Sequence, residues 1–448
     1  MTTQFDIIQP VKSEPKTNNF AFMAYLIGLC LLFLVRDYFE VALPFILFLV
    51  YFAFGYFVFD YEHALALSVT MPLLSHGVQT NYVILIAIVM QFFKYFHTIS
   101  FNYVHVIILC LMMFELMHGF FASFSLSDYI RYFVQYFYIA LIVGNNKIKQ
   151  FLHEPMLVIR TFLGIAAYFM LDVMLVTSKY LDYGDMLSDG VRFGTLEEFI
   201  DLSKVPTLYD NENMVAMFAL VALNLCVVCL YKTRRFWVLD SFLLVYFVFF
   251  GLLTNSRAFL LCLALSAVFH ILYLFKNSIA KALVIMVVVL IIFAILGATV
   301  FSDVLENILK RFAEDDVTGG RGDLFGRVND ALFSNLAIFF FGTGLQATGA
   351  LAGIEAPHNA IQETLLCWGV VGLVIVAAFI VIVIKNARKI AAQKIPLVYY
   401  SPFIMYAVFI QSIQFVRLPG IFGLLTLFFV TILAGAYNEN EKELSNNG

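Results

Sequence analysis

Apolar runs of membrane-spanning length follow one another from residue 20 almost to the end of this 448-residue chain. A helix crosses the roughly 30 Å hydrocarbon core of a bilayer with about 20 apolar residues, somewhat fewer where flanking side chains snorkel. About fourteen runs meet that measure: 20–35, 41–59, 64–76, 82–96, 102–122, 128–144, 156–178, 213–231, 236–254, 257–275, 280–300, 360–384, 396–415 and 418–436. The third and fourth are short, so a re-entrant pair fits them as well as two crossings. Only 13% of the residues are charged and 62% are hydrophobic, whereas soluble domains carry about a quarter charged residues. Such a chain cannot cover a globular core with polar surface. The expected fold class is therefore an all-α polytopic membrane protein with about 14 transmembrane helices. The hydrophilic start MTTQFDIIQPVKSEPKTNN lacks the order of basic, apolar and small residues found in a cleavable signal peptide, and it reads as a cytoplasmic tail.

Orientation follows from lysine and arginine in the short connections. YKTRRF (231–236), FKNSIAK (275–281) and KNARKIAAQK (385–394) assign themselves to the cytoplasm, and GNNKIKQ (144–150) agrees. The chain then divides into a tail (1–19), an N-terminal bundle (20–178), an outer loop (179–212), further spans (213–300), a large outer loop (301–358), C-terminal spans (359–436) and a second tail (437–448). Both long loops lie on the non-cytoplasmic face. Within 322–342 apolar and polar residues alternate in steps of three and four, which predicts an amphipathic helix on the membrane surface. Pro357 breaks the chain there, and Asn359 with Gln362 has the spacing of a capping box that opens the next span.

The outer face collects Arg192, Arg257, Arg311, Arg321, Arg327, His358 and Arg417. Arg257 lies in LLTNSRAFLL, a turn so short that its guanidinium stays at membrane level. Arg321 is flanked by glycines in TGGRGD ahead of the amphipathic helix, an arrangement suited to an anion. Arg417 occupies the tight turn between the last two helices, where snorkelling explains it equally well. Arg327 lies between Asp323 and Asp330 at helical spacing, so a surface ion pair accounts for it as well as ligand binding does. Arg311, beside Lys310, reads as a solvated charge. Asp172 and Glu115 sit inside apolar helices, where a carboxylate is costly; each contacts a ligand or pairs with Arg160 or another helix. Cys226 and Cys229 form a CxxC with no other ligand type nearby and read as helix packing. The 301–358 loop is acidic overall, which argues against nucleic acid as a partner. No P-loop, GxSxG, HExxH or dinucleotide signature occurs. No Asp-x-Asp motif lies on the outer face, so no divalent metal is expected.

Four stretches together resemble one family, the O-antigen polymerase and O-antigen ligase superfamily. They are YDNENMVAMFALVALNL (209–225), LLTNSRAFLLCLAL (252–265), TGGRGDLF (318–325) and FGTGL…PHNAIQETLLCWGVVGL (341–373). The order matches the family's asparagine-rich helix start, Ser-Arg turn, Gly-Arg element, Gly-x-Gly segment and His-Asn before a helix with Gly-x-x-Gly. NEN (211–213) stands where the family often has Asn-Pro-Asn. The resemblance implies a GT-C-like, metal-independent glycosyltransferase of a bacterial inner membrane, with its active site facing the periplasm and no nucleotide cofactor. Its implied partners are undecaprenyl-diphosphate-linked glycan donor and acceptor, membrane lipid and a chain-length regulator protein. Arg257 and Arg321 would hold the diphosphate, with Arg327, Arg417, Arg192, Asn213 and Asn359 around the substrate, and His358 would act on the acceptor hydroxyl. Long outer loops and a broad arginine set favour the polymerase. The ligase differs only in acceptor, lipid A core. The long 301–358 loop argues against a third reading, a lipid-linked oligosaccharide flippase.

Overall fold

The computed structural model describes residues 18–74, 80–119, 126–180, 193, 212–233, 235–277, 306, 310, 321–345, 358–413 and 421–437. Among the described residues the chain is nearly all helical, and its only β-type pairing is a single bridge between Ile99 and Asn145. The N-terminal half comprises α1 (Asn19–Asp37), α2 (Phe45–Val58), α3 (Tyr61–Leu74), α4 (Thr80–Tyr95), α5 (Tyr103–His118), α6 (Leu126–Val143), the short α7 (Ile148–Phe151) and α8 (Pro155–Thr177). The second half comprises α9 (Glu212–Lys232), α10 (Trp237–Leu253), α11 (Arg257–Asn277), α12 (Arg321–Ser334), α13 (Leu336–Phe341), α14 (Ala360–Ala391), α15 (Ser401–Phe409) and α16 (Ile421–Ala434). Among the described residues, five helices are long and apolar enough to cross a membrane: α1, α8, α9, α11 and α14. Shorter apolar helices accompany them, as expected where backbone groups must be satisfied within the segment. The molecule is a multi-pass membrane protein.

Local chemistry sets the helix starts. Asn18 accepts the Phe20 N–H at the head of α1, and Asn102 with His105 forms a reciprocal capping box on α5. Pro155 opens α8, at the position where a missing N–H costs nothing. Every residue of α3 is buried, as is nearly every residue of α9 between Val215 and Cys229. These helices form the centre with α8 and α16, whereas Phe57, Leu261 and Val374 turn outward as lipid-facing side chains do. Cys226 and Cys229 are buried free thiols within α9, in keeping with packing.

Contacts between helix termini sort into two sets. At one end Lys94 donates to the Phe57 carbonyl at 2.7 Å, Lys149 to that of Ala391 at 3.4 Å, and Lys232 to that of Tyr437. Arg160 grips Asp240 there with bonds of 2.9 and 3.1 Å. This basic end gathers the charge clusters described above. At the opposite end Lys179 meets Glu40 at 2.7 Å, and Ser256 donates to Asn213 at 3.0 Å. Arg160 is thereby committed to Asp240 and to neither Asp172 nor Glu115. Asp172 instead lines a small cavity with Arg36 and Tyr168, beside the Arg36–Asp37 pair.

Two local expectations change. The amphipathic segment is two helices, because the Asn335 side chain accepts the Ala337 N–H at 2.9 Å and starts α13 afresh. Its apolar face is also covered by protein: Val328 and Leu332 bury against Leu366 of α14, flanked by Leu324, Ile338, Phe339 and Leu365. The run 280–300 lies outside the described residues.

Candidate active site

The turn between α10 and α11 is three buried residues long: Thr254, Asn255 and Ser256. Asn255 takes a left-handed φ of 51°, and Thr254 donates back to the Gly251 carbonyl at 2.6 Å. The Ser256 carbonyl accepts the Leu260 N–H at 3.2 Å, which starts α11, while its hydroxyl donates to the Asn213 side chain in the first turn of α9. Arg257, the first residue of α11, is half-buried. Asn213 therefore fixes the turn that presents Arg257. Phe193 joins this corner, its N–H donating to the Leu253 carbonyl at 3.1 Å and its ring packing on Phe250 at 5.2 Å. Its neighbour Arg192, together with Arg311 and Arg417, lies outside the described residues.

Arg321 heads α12. Arg327 is exposed, and no ion pair with Asp323 or Asp330 forms among the described residues, so the surface-pair explanation does not hold. His358 is half-buried and takes a left-handed φ of 49°, a conformation that a non-glycine residue adopts only where its surroundings enforce it. Those surroundings are visible one residue on. The Asn359 side chain accepts the Ile361 and Gln362 N–H groups at 3.0 Å each, capping α14, and its amide donates to the Gln411 carbonyl at 3.1 Å. The reciprocal half of the expected capping box does not form, because Gln362 donates instead to Asn329 of α12 at 3.2 Å. α12 and α14 are thus joined by polar as well as apolar contacts.

α14 is broken inside. Gly369 has φ 62° and ψ −166°, outside helical geometry, and Phe340 of α13 crosses the break. A Cβ on Gly369 would lie 2.3 Å from the Phe340 carbonyl carbon. A Cβ on Gly342, at φ 76°, would lie 2.4 Å from the Cys367 carbonyl. Two backbones cross where only glycine fits on either side. Thr343 fastens the crossing, since its N–H and its hydroxyl both donate to the Leu366 carbonyl at 2.8 and 3.0 Å.

The structure thus gathers Asn213, Ser256 and Arg257 at one corner and His358, Asn359 and Gln411 at another, while the Gly342 turn meets α14 further along, at Cys367 and Trp368. α15 packs on α9 and α11, and the Gln411 turn that follows it meets Asn359. The sequence reading missed Ser256 as the partner of Asn213, Thr343 at the crossing, and His118 and Trp368 beside it. Among the described residues, no group of three His, Cys, Asp or Glu side chains gathers as metal ligands would.

Residues 242–377 match the family model described as O-Antigen ligase, about three-tenths of the chain. The match runs from α10 to the first half of α14 and includes Arg257, Arg321, Arg327, His358 and Asn359. It supports the resemblance to the O-antigen polymerase and ligase superfamily; Asn213, Arg192 and Arg417 lie beyond its limits. No curated protein matches the chain.

Proposed function

We propose that the protein is a glycosyltransferase that joins undecaprenyl-diphosphate-linked repeat units at the periplasmic face of the inner membrane, an O-antigen polymerase. One observation carries the reading: Arg257 stands at the first residue of a helix and His358 just before another, while Arg321 opens the described part of α12. Helix starts carry partial positive charge, and guanidinium groups beside them suit a diphosphate.

In this mechanism an acceptor hydroxyl attacks the anomeric carbon of the donor sugar. The new C–O bond forms as the bond to the diphosphate breaks, the hydroxyl proton passes to His358, and undecaprenyl diphosphate leaves with the bonding pair. Fixed arginines stabilise the charge that grows on the leaving group, an interaction stronger in the transition state than in the bound donor. Arg327, Arg417, Arg192, Asn213 and Asn359 are the proposed substrate-side residues, Asn213 and Asn359 acting through the turns that they hold. Outside the cytoplasmic membrane a sugar donor arrives on a lipid carrier, and a chain-length regulator is the proposed protein partner.

The ligase is the second reading, favoured by the description of the matched family. Gene deletion separates the two. A polymerase mutant keeps single repeat units on the surface lipid and loses the ladder of longer chains. A ligase mutant shows bare surface lipid, with long chains stranded on the carrier. Repeat units held only on the cytoplasmic leaflet would overturn both in favour of the flippase.

A further inference from the structure

The α5 helix ends beside the glycine crossing and holds it at both ends. Glu115, 5% exposed, accepts the Leu345 N–H on Oε1 at 2.9 Å and the Trp368 indole N–H on Oε2 at 2.7 Å. One turn later the His118 Nε2 lies 2.8 Å from the Phe341 carbonyl and its Nδ1 lies 2.9 Å from the Phe114 carbonyl. Both ring nitrogens of His118 lie within hydrogen-bond distance of backbone carbonyls. The segment from Phe341 to Leu345 is thus tied to α5 at its first and last residues, while Thr343 between them is tied to α14.

We infer that Glu115 is a positioning residue, whose two hydrogen bonds fix the spacing between the helix headed by Arg321 and the helix preceded by His358. The inference rests on the transferase reading above. Leu345 follows α12 and α13 in the chain, and Trp368 lies in the helix that His358 precedes. A carboxylate suits this place because both of its partners donate. Glutamine would turn an NH₂ group against one of the two N–H donors. The bland account of a buried carboxylate, an ion pair with Arg160, is removed by the commitment of Arg160 to Asp240.

Donor binding needs the arginines alone, whereas transfer needs arginines and His358 held at one spacing. Loosening the tie therefore lowers kcat and spares KM. The test is steady-state transfer in proteoliposomes with an undecaprenyl-diphosphate-linked repeat unit, normalised to folded protein, for wild type, Glu115→Gln and Trp368→Phe. Glu115→Gln is expected to lower kcat on the order of 10- to 100-fold, with the donor KM changed less than about threefold. Trp368→Phe keeps the ring and removes one donor, and it is expected to lower kcat by a smaller factor. The double variant should be no slower than Glu115→Gln, because the two share one bond. If Glu115→Gln does not fold, Trp368→Phe carries the test. Wild-type kcat per folded molecule in the variants would overturn the positioning role and leave the transferase reading standing. A wild type that transfers no lipid-diphosphate-linked glycan would overturn both.

Discussion

A single methyl group tests the glycine crossing. Gly342→Ala and Gly369→Ala each place a Cβ within 2.4 Å of foreign backbone and hold alanine at positive φ. The left-handed conformation alone costs about 1–2 kcal/mol, so both variants should show reduced folded yield and a lower melting temperature in detergent. Gly326 is the control, exposed within α12 with nothing near its Cβ position. Gly326→Ala should raise stability by roughly 0.5–1 kcal/mol through helix propensity. At the proposed site, Arg257→Lys and Arg321→Lys keep the charge and lose the planar fork, so transfer should fall strongly at normal membrane levels. His358→Ala should abolish transfer with the fold retained; loss of stability alone would return His358 to a helix-start role. Which residues were legible follows from how far away their partners lie. Arg257 and His358 stand out because serine, asparagine and proline beside them mark turns locally. His118 and Trp368 do not, because their partners are 223 and 253 residues away.

Apolar runs are legible as elements, since composition and length alone determine them. Their interruptions are less so. A periodic pattern continues through Asn335, so a side-chain cap divided the predicted amphipathic helix without a trace in the apolar spacing. The pattern is equally silent on whether lipid or protein covers a face. Leu332→Ala tests the packing found, because removing a buried leucine side chain costs about 2–5 kcal/mol. Limited proteolysis should then cut α12 faster while the transmembrane bundle stays resistant. The connection between α1 and α2 gives a pH test. Hydrogen bonds from Lys179 and then Tyr180 to Glu40 hold its carboxyl below the ordinary glutamate range. A depressed folded value means that the contribution is complete above the unfolded pKa, near 4.3, and is lost as pH falls through the lowered value. Acidification through that window should release this connection, and Glu40→Gln should remove the pH dependence. Hydrogen exchange of residues 38–43 measures both.

Across the described residues, the apolar helices from α1 to α11 alternate in direction between the two sets of end contacts, as do α14 to α16, whereas α11 and α14 run the same way. Which end faces the cytoplasm is the expectation drawn from the charge clusters. Cysteine labelling should reach Ser188 and Gly349 from outside and Thr233 and Gln393 only from inside; labelling of Gly349 from the inside alone would remove the periplasmic site. What composition could not reveal was depth. At about 1.5 Å per residue, the 32 residues of α14 measure roughly 48 Å, well beyond a hydrocarbon slab of about 30 Å. Below the break at Gly369 the uncharged run 370–384 measures about 22 Å, so the turns above the break are needed to complete a crossing of that slab. Those turns carry Glu363 and Trp368, both buried in protein. Under the proposed function, the diphosphate of a polyprenyl carrier would meet the helix starts while its isoprenoid tail stays in the same leaflet.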